Sequence, residues 1–482
     1  MRRIFWALDT RFSQPRVNVR LALTSKVFYS SAKNELLGSL LAYCIRDRIR
    51  QELQVASEAG YHIIITISGK RLQVVVSGFR QGIDGILHLI TDAIMAPPCA
   101  HSPESFEKAR GSAMSVFANE QTTSPTKYAE SLLDEILEQP YYSNKERLQH
   151  VYIVEHADLT NFQKTALGDM SMVGLIHGNC DKADAQRIVD QVLSKLHFES
   201  KTDEQETDHN GSSNITIISP PKLEVNTIPV ASVPQQTIVK LIVPHPNPKE
   251  ANNGIINYYQ IKAATSLQEN EEATAMSMIL YSMSHNYAFH ELRTVKGLGY
   301  IVHARRERRS NVHAYKITIQ SQSFSAEECS DAANEFMTVK LNRKVGELNV
   351  TSLEAIKDAL KETISKPPMT LTDLTDTLWT EIVSENYNFA RKAKLAAALD
   401  HITLEKFQQF YTLLLEAPLL SIQVKGNSKS PNGQQTPATV VPVSSNSTTI
   451  LTAETVKTYK EAQGYHYPLP GNPIPMECVA QF

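Results

Sequence analysis

Apolar positions along this chain follow two rhythms, and the order in which the rhythms alternate is the same in its first and second parts. Residues 17–24 and 255–263 are runs of β-branched and apolar residues, which predict strands. Each precedes apolar residues at helical spacing: Leu36, Leu37, Leu40, Leu41 and Cys44 in one case, Ala275, Met276, Ile279 and Leu280 in the other. Two further strands follow in each part, residues 62–68 with 71–79 and residues 300–305 with 313–321, each pair joined by a short polar turn as in a hairpin. Blocks of amphipathic helix come next, and a last apolar strand closes each unit at 172–177 or 419–424. Hairpins mixed with blocks of helices predict an α+β fold, two sandwich domains in which antiparallel-rich sheets pack against helices, and argue against a doubly wound parallel sheet.

The parallel between the parts extends to individual residues. Glu52-Leu53-Gln54 falls on Glu291-Leu292-Arg293, and Gly60-Tyr61 falls on Gly299-Tyr300, both at an offset of 239 positions. His156, Leu159 and Phe162 meet His401, Leu404 and Phe407, while His177-Gly178-Asn179 meets Lys425-Gly426-Asn427. Two copies of one domain account for this, the first at residues 1–198 and the second at 235–427. Between them residues 199–234 read as a linker, acidic and polar at first and proline-rich toward the end. Residues 428–482 begin with a Ser, Thr, Pro and Asn-rich run that lacks the apolar surface to offset its ordering entropy, so a loop or disorder is expected there. A short amphipathic helix and a proline-rich extended tail, expected to pack back on a domain, end the chain.

Composition narrows the class. A chain of 482 residues has room for two to four domains, and 42% hydrophobic with 21% charged residues is the balance of a soluble globular protein. The formal net charge of -3 names no partner. No signal-peptide core and no apolar run of about 18 residues are present, so the expected location is cytoplasmic, with an organelle such as the mitochondrion left open. The cysteines at 44, 99, 180, 329 and 478 are widely spaced and never form C-x-x-C, which argues against a disulfide framework or a thiolate metal site. Arg305-Arg306-Glu307-Arg308-Arg309 lies between two predicted strands and reads as a solvated hairpin tip, or else as a patch that attracts acidic peptide or another polyanion. No aromatic and basic interleaving suggests nucleic acid.

The common catalytic signatures are missing. Zinc hydrolysis needs two imidazoles on one helix face, and neither H-x-x-E-H nor H-E-x-x-H occurs. His150 with His156 and His285 with His290 are spaced by six and five, which turns each pair away from a common face. Gly297-x-Gly299 lacks the third glycine of a dinucleotide turn, Gly69-Lys70 lacks the upstream glycine of a phosphate loop, and no G-x-S-x-G elbow exists. One segment stands apart, ELRTVKGLGYIV at residues 291–302. It sets Arg293 seven residues ahead of Tyr300 across a glycine-containing turn. A planar fork of five donors and a directed hydroxyl can together hold a peptide carbonyl. Tyr300 could equally be core, as its counterpart Tyr61 suggests, whereas Arg293 has the uncharged Gln54 as its counterpart.

That segment, together with LIHGN at 175–179, the region 368–387 with Trp379, ENYNF at 385–389 and ITLEKFQQFY at 402–411, resembles the C-terminal half of the insulysin, nardilysin and pitrilysin metallopeptidases. The resemblance runs from about residue 5 to residue 424. It implies a half-shell of two homologous α+β domains that closes a substrate chamber and presents Arg293 and Tyr300 to the peptide. It also implies that zinc belongs to an N-terminal partner half, a separate chain or missing sequence, since this chain begins near the start of the third-domain pattern. Two functions follow. The chain is the chamber-closing, substrate-binding half of a zinc endopeptidase with no zinc site of its own, or it is a non-catalytic homologue that serves as an interaction or assembly subunit. Its expected partners are the zinc-bearing half and peptide substrates, without nucleic acid or a membrane span, and with oligomerisation left open.

Overall fold

The computed structural model describes residues 2–68, 71–96, 102–168, 170–196, 230–231, 238–261, 263–309, 311–427, 448–452, 454–462 and 465–466. The expected linker at 199–229 and 232–234 and the expected loop at 428–446 lie outside the described residues, as do Cys99 and Cys478.

Five strands build the first sheet: β1 (Arg2–Leu8), β2 (Arg16–Thr24), β3 (His62–Ser68), β4 (Arg71–Phe79) and β5 (Ser171–Gly178), in the order β1-β5-β2-β4-β3. A two-residue strand, β6 (Val230–Ala231), stands before the second sheet. That sheet contains β7 (Ile238–Pro244), β8 (Asn253–Gln260), β9 (Ile301–Arg309), β10 (Val312–Ser321), β11 (Leu419–Lys425) and β12 (Thr448–Leu451), in the order β12-β7-β11-β8-β10-β9. Without β12 the two orders are identical. The C-terminal stretch adds β12 to the edge, then a short helix, Val456–Ala462, and β13 (Tyr465–His466), which pairs with β6. Both sheets are mostly antiparallel; β1 pairs parallel with β5 in the first, and β7 pairs parallel with both β11 and β12 in the second.

β1 and β7 lie outside the strands predicted from the sequence. Each joins its sheet by parallel pairing to the last strand of its unit, a partner more than 160 positions away, and only the folded chain supplies it. The hairpin β9–β10 also differs from expectation. The basic run 305–309 is the second half of β9 rather than the turn itself, in register with Val312 to Lys316, and Arg305, Arg306 and Arg308 remain exposed. Its last member, Arg309, is largely buried and donates to Asp134, Glu138 and Glu307 at 2.7, 2.5 and 2.8 Å.

Alternation along the strands gives each sheet two buried faces. In the first sheet Val17, Val19, Leu21 and Leu23 meet the helix Ala32–Arg48 through Leu36, Leu37, Leu40 and Leu41. In the second, Ile255, Tyr315, Ile317 and Ile319 meet Leu267–Ala288 through Ala275, Ile279 and Leu280. The opposite faces are covered by exchange. The helix Pro125–Leu137, from the stretch between the strands of the first sheet, lies on the second, where Ala129, Leu132, Leu133 and Ile136 pack on Val239, Leu241, Ile256, Tyr258 and Ile422. The helix Leu371–Val383, from the corresponding stretch of the second unit, lies on the first sheet, where Leu378, Trp379 and Ile382 meet Phe5, Ala22 and Leu175. Both begin with a hydroxyl cap, Ser124 accepting from the Lys127 N–H and Thr370 from the Asp373 N–H, at an offset of 246 positions. Burying three large aliphatic side chains on the Pro125–Leu137 helix contributes roughly 5–9 kcal/mol before ordering costs.

The two exchanged contacts differ in chemistry. Under Leu371–Val383 the sheet offers polar groups: Thr375 Oγ1 donates to the Leu371 carbonyl, accepts from Asn18 Nδ2 at 2.7 Å and lies 2.8 Å from His177 Nδ1. The hydroxyl proton is thus spent on the helix, which puts the His177 proton on Nδ1. Arg20 reaches Asp376 at 3.0 Å and donates to Ser77. Under Pro125–Leu137 the centre is apolar and the charges sit at the margin, where Lys316 also meets Glu130 at 2.9 Å.

Candidate functional site

The chain between Leu267–Ala288 and β9 is where the second unit departs from the first. In the first unit the matching stretch is an ordinary α-helix, Arg50–Glu58, followed by Gly60 with φ of 87°. In the second, residues Phe289–Val295 widen into a π-type helical segment, a local form that recurs at functional sites. Leu292 and Leu298 are buried and hold the segment down, with the Leu298 N–H donating to the Leu292 carbonyl at 3.1 Å. Gly297 reverses the chain at φ of 65°. Gly299 has to be glycine, because a Cβ there would stand 2.0 Å from the Gln320 carbonyl oxygen.

This frame brings Arg293 and Tyr300 together. The Arg293 guanidinium carbon lies 4.7 Å from the centre of the Tyr300 ring and 4.6 Å from that of Phe289, one helical turn earlier. Each such contact is worth about 0.5–1 kcal/mol at an accessible site. Tyr300 is 82% exposed and Phe289 40% exposed, so the stack faces solvent rather than core. The nearby acids are already engaged: Glu291 pairs with Lys340 at 3.1 Å, and Glu335 pairs with Lys296 at 2.5 Å, whose hydrogen bond holds the Glu335 carboxyl below its usual range. Among the described residues, neither the Arg293 guanidinium nor the Tyr300 hydroxyl has a hydrogen bond or ion pair. The charge and the hydroxyl are oriented yet unspent.

Phe289 was missed in the sequence. The i, i+4 spacing to Arg293, which sets both side chains on one helix face, is visible there and was the signal that could have found it.

Tyr61, the counterpart of Tyr300, does something else. It packs edge-on to Phe79 at 6.5 Å and covers two glycines, a Cβ at Gly78 or Gly82 falling 2.1 or 2.3 Å from its atoms. Gln54 donates to Glu58 on its own helix.

No group of three or more His, Cys, Asp or Glu side chains among the described residues comes close enough to hold a metal ion. His285 stacks on Tyr281 at 4.5 Å and His156 meets Phe106 edge-on. Cys44, Cys180 and Cys329 are buried, and burial pushes the thiols of Cys180 and Cys329 up to about 11. The described residues therefore do not fit a zinc site. Among the described residues no helix is long and apolar enough to cross a membrane.

Comparison with known proteins agrees with this architecture. Residues 1–150 match the family described as the middle or third domain of peptidase M16, and residues 279–379 match the PQQ synthase PqqF-like C-terminal lobe domain 4. A nardilysin-like protein of Arabidopsis thaliana is 23% identical over 84% of this chain and 37% of its own length. In structure the chain is similar to pitrilysin, with a TM-score of 0.78 at 14% identity over 97% of this chain and 46% of that one. It is also similar to a peptidase M16 inactive domain from Pseudomonas fluorescens, with a TM-score of 0.62 at 13% identity over 89% of this chain and 96% of that one. The fold is that of an M16 peptidase half. Both matched stretches resemble C-terminal-half domains of insulysin-type M16 peptidases, and the chain spans less than half the length of the nardilysin-like relative and of pitrilysin.

Proposed function

We propose that this chain is the substrate-binding, chamber-closing half of a zinc endopeptidase and works with an N-terminal half that carries the metal. The observation that carries this reading is the Phe289–Arg293–Tyr300 stack, a guanidinium held between two rings with its donors uncommitted. In this role Arg293 donates to a carbonyl of the bound peptide, and the Tyr300 hydroxyl donates beside it as negative charge develops on that oxygen. Stacking fixes the plane of the fork beforehand, so little rotamer freedom is lost when substrate arrives. Zinc in the partner half would supply the activated water.

The test is reconstitution. Mixed with a zinc-bearing N-terminal half and a quenched fluorescent peptide, the chain should confer zinc-dependent cleavage, which Arg293→Ala removes without lowering the melting temperature. A second reading, a non-catalytic interaction subunit, takes support from the similarity to the peptidase M16 inactive domain, 96% of which the chain covers. Binding of peptide or partner without any gain of cleavage would favour that reading and sink the first.

A further inference from the structure

Away from the stack, the far end of β9 forms one wall of a cleft. The start of Leu267–Ala288, the residues after Leu371–Val383 and the start of the helix Arg391–Asp400 complete it, forming a shallow recess open to solvent. Its polar lining includes Asn270, Glu271, Arg308, Asn388 and Arg391.

The charges in this lining do not cancel. Arg391 is held by Glu381, its Nη2 donating to Oε2 at 3.1 Å and its Nε to Oε1, so that cation is neutralised. Glu271 accepts from Asn388 Nδ2 at 3.0 Å and lies 4.0 Å from Lys394. Arg308 has no ion pair or hydrogen bond among the described residues. Desolvation, and after it the neighbouring Arg391 guanidinium, lowers its pKa from the ordinary value against the opposing pull of Glu381, which acts on the charge without pairing with it. Two neutral groups stand beside it. Asn388 is 8% exposed, and its Oδ1 is a buried acceptor with no partner. Asn270 Oδ1 lies 2.7 Å from His313 Nε2, which leaves the Asn270 amide NH2 directed elsewhere. Burial holds His313 down to about 3, so the ring is neutral and donates through Nε2.

One surplus positive charge, a free amide donor and an orphan acceptor call for a ligand with a single negative charge and an N–H next to it. Glu271 and Glu381 nearby disfavour a dianion such as phosphate. We propose that this cleft binds the C-terminal residue of a peptide, with the terminal carboxylate on Arg308 and the Asn270 amide and the last backbone N–H directed to Asn388 Oδ1. It rests on the reading of this chain as a peptide-binding half, and it adds a second anchor that selects substrates by their free carboxyl end.

The experiment measures fluorescence anisotropy of the full chain with one N-terminally labelled dodecapeptide made as the free acid and as the C-terminal amide. The acid should bind at least tenfold tighter than the amide, and the ratio should fall to within twofold in Arg308→Gln and in Asn270→Asp, which keeps the oxygen facing His313 but replaces the NH2 by negative charge. Circular dichroism checks both variants, and whichever remains folded decides. Equal binding of acid and amide, no binding of either, or displacement of the free acid by equimolar inorganic phosphate overturns the proposal. Arg293→Ala separates the two readings: it should abolish cleavage in the reconstituted mixture and leave the acid-to-amide ratio intact.

Discussion

Residues 50–61 and 289–300 descend from one pattern, a helix, a glycine turn and a tyrosine entering an edge strand, yet they present opposite surfaces. In the first unit Tyr61 lies inward over Gly78 and Gly82, and Gln54 is satisfied by its own helix. In the second, the π-type segment turns Arg293 onto Phe289 and Tyr300, and the tyrosine is 82% exposed. The scaffold is shared, and the difference is where each side chain finds its partner. One copy uses its tyrosine for packing. The other leaves both groups available to something outside the chain, which is why the proposed function places its weight on the second copy. The exchanged helices differ in a parallel way, because the helix on the first sheet is fastened by a buried polar network and the helix on the second by apolar packing with ions at its margin.

The largest effect that would break this comparison is Arg293→Ala in the reconstituted peptidase. Loss of a donor to developing oxyanion charge lowers kcat about 10²–10³-fold, while Gln54→Ala in the first copy should leave kcat unchanged. Equal losses from both would abolish the distinction between the copies.

Next comes the pH dependence of the polar contact. Burial, with Asp9 opposing it and Arg20 reinforcing it, depresses His177 to about 4 from its ordinary 6.5. The proton is favoured in the unfolded chain, so this group's contribution to stability is complete above about pH 6.5 and is lost as pH falls toward 4, a change of about 3 kcal/mol. Urea melts at pH 7 and pH 4.5 should show a smaller acid loss in His177→Gln than in the parent. An identical pH dependence would count against a buried neutral imidazole.

Arg309→Ala probes the ionic margin of the other contact. Burial opposes its charge, but Glu307 and Asp134 more than offset this and hold the guanidinium above its ordinary pKa. Its removal strands three carboxylates of which two are about a third exposed, so the cost is about 2–3 kcal/mol rather than that of a fully buried pair. Its loss should be nearly independent of pH between 6 and 8 in thermal melts.

The smallest effect sharpens the tyrosine contrast. Tyr300→Phe should lower kcat about tenfold with an unchanged melting temperature, a loss of roughly 1.4 kcal/mol in transition-state binding. Tyr61→Phe should leave kcat unaltered, since the ring over Gly78 and the hydroxyl over Gly82 both serve packing within the first unit.

Much of this was legible before folding. Strands at 62–68 and 71–79 coincide with β3 and β4, because alternation of apolar and polar residues is a local signal. The repeated Gly-Asn at 178–179 and 426–427 marks positions where a Cβ would strike the backbone, 2.3 Å from the Arg16 oxygen and 2.5 Å from the Asn252 oxygen. The spacing of Arg293 and Tyr300 was visible too. The strand character of 305–309 and the cleft around Arg308 were not, since each is defined by a neighbour that no local period encodes.

By itself the sequence determined the elements, their caps, the obligatory glycines and the twofold repetition, all of which depend on residues within a few positions of one another. The tertiary structure alone decided which helix covers which sheet and which charges stay unpaired. Asn18 and Thr375 are 357 positions apart, and Arg309 and Asp134 are 175 apart. Contacts at such separations are chosen by complementarity between finished surfaces, and those surfaces exist only once the chain has folded.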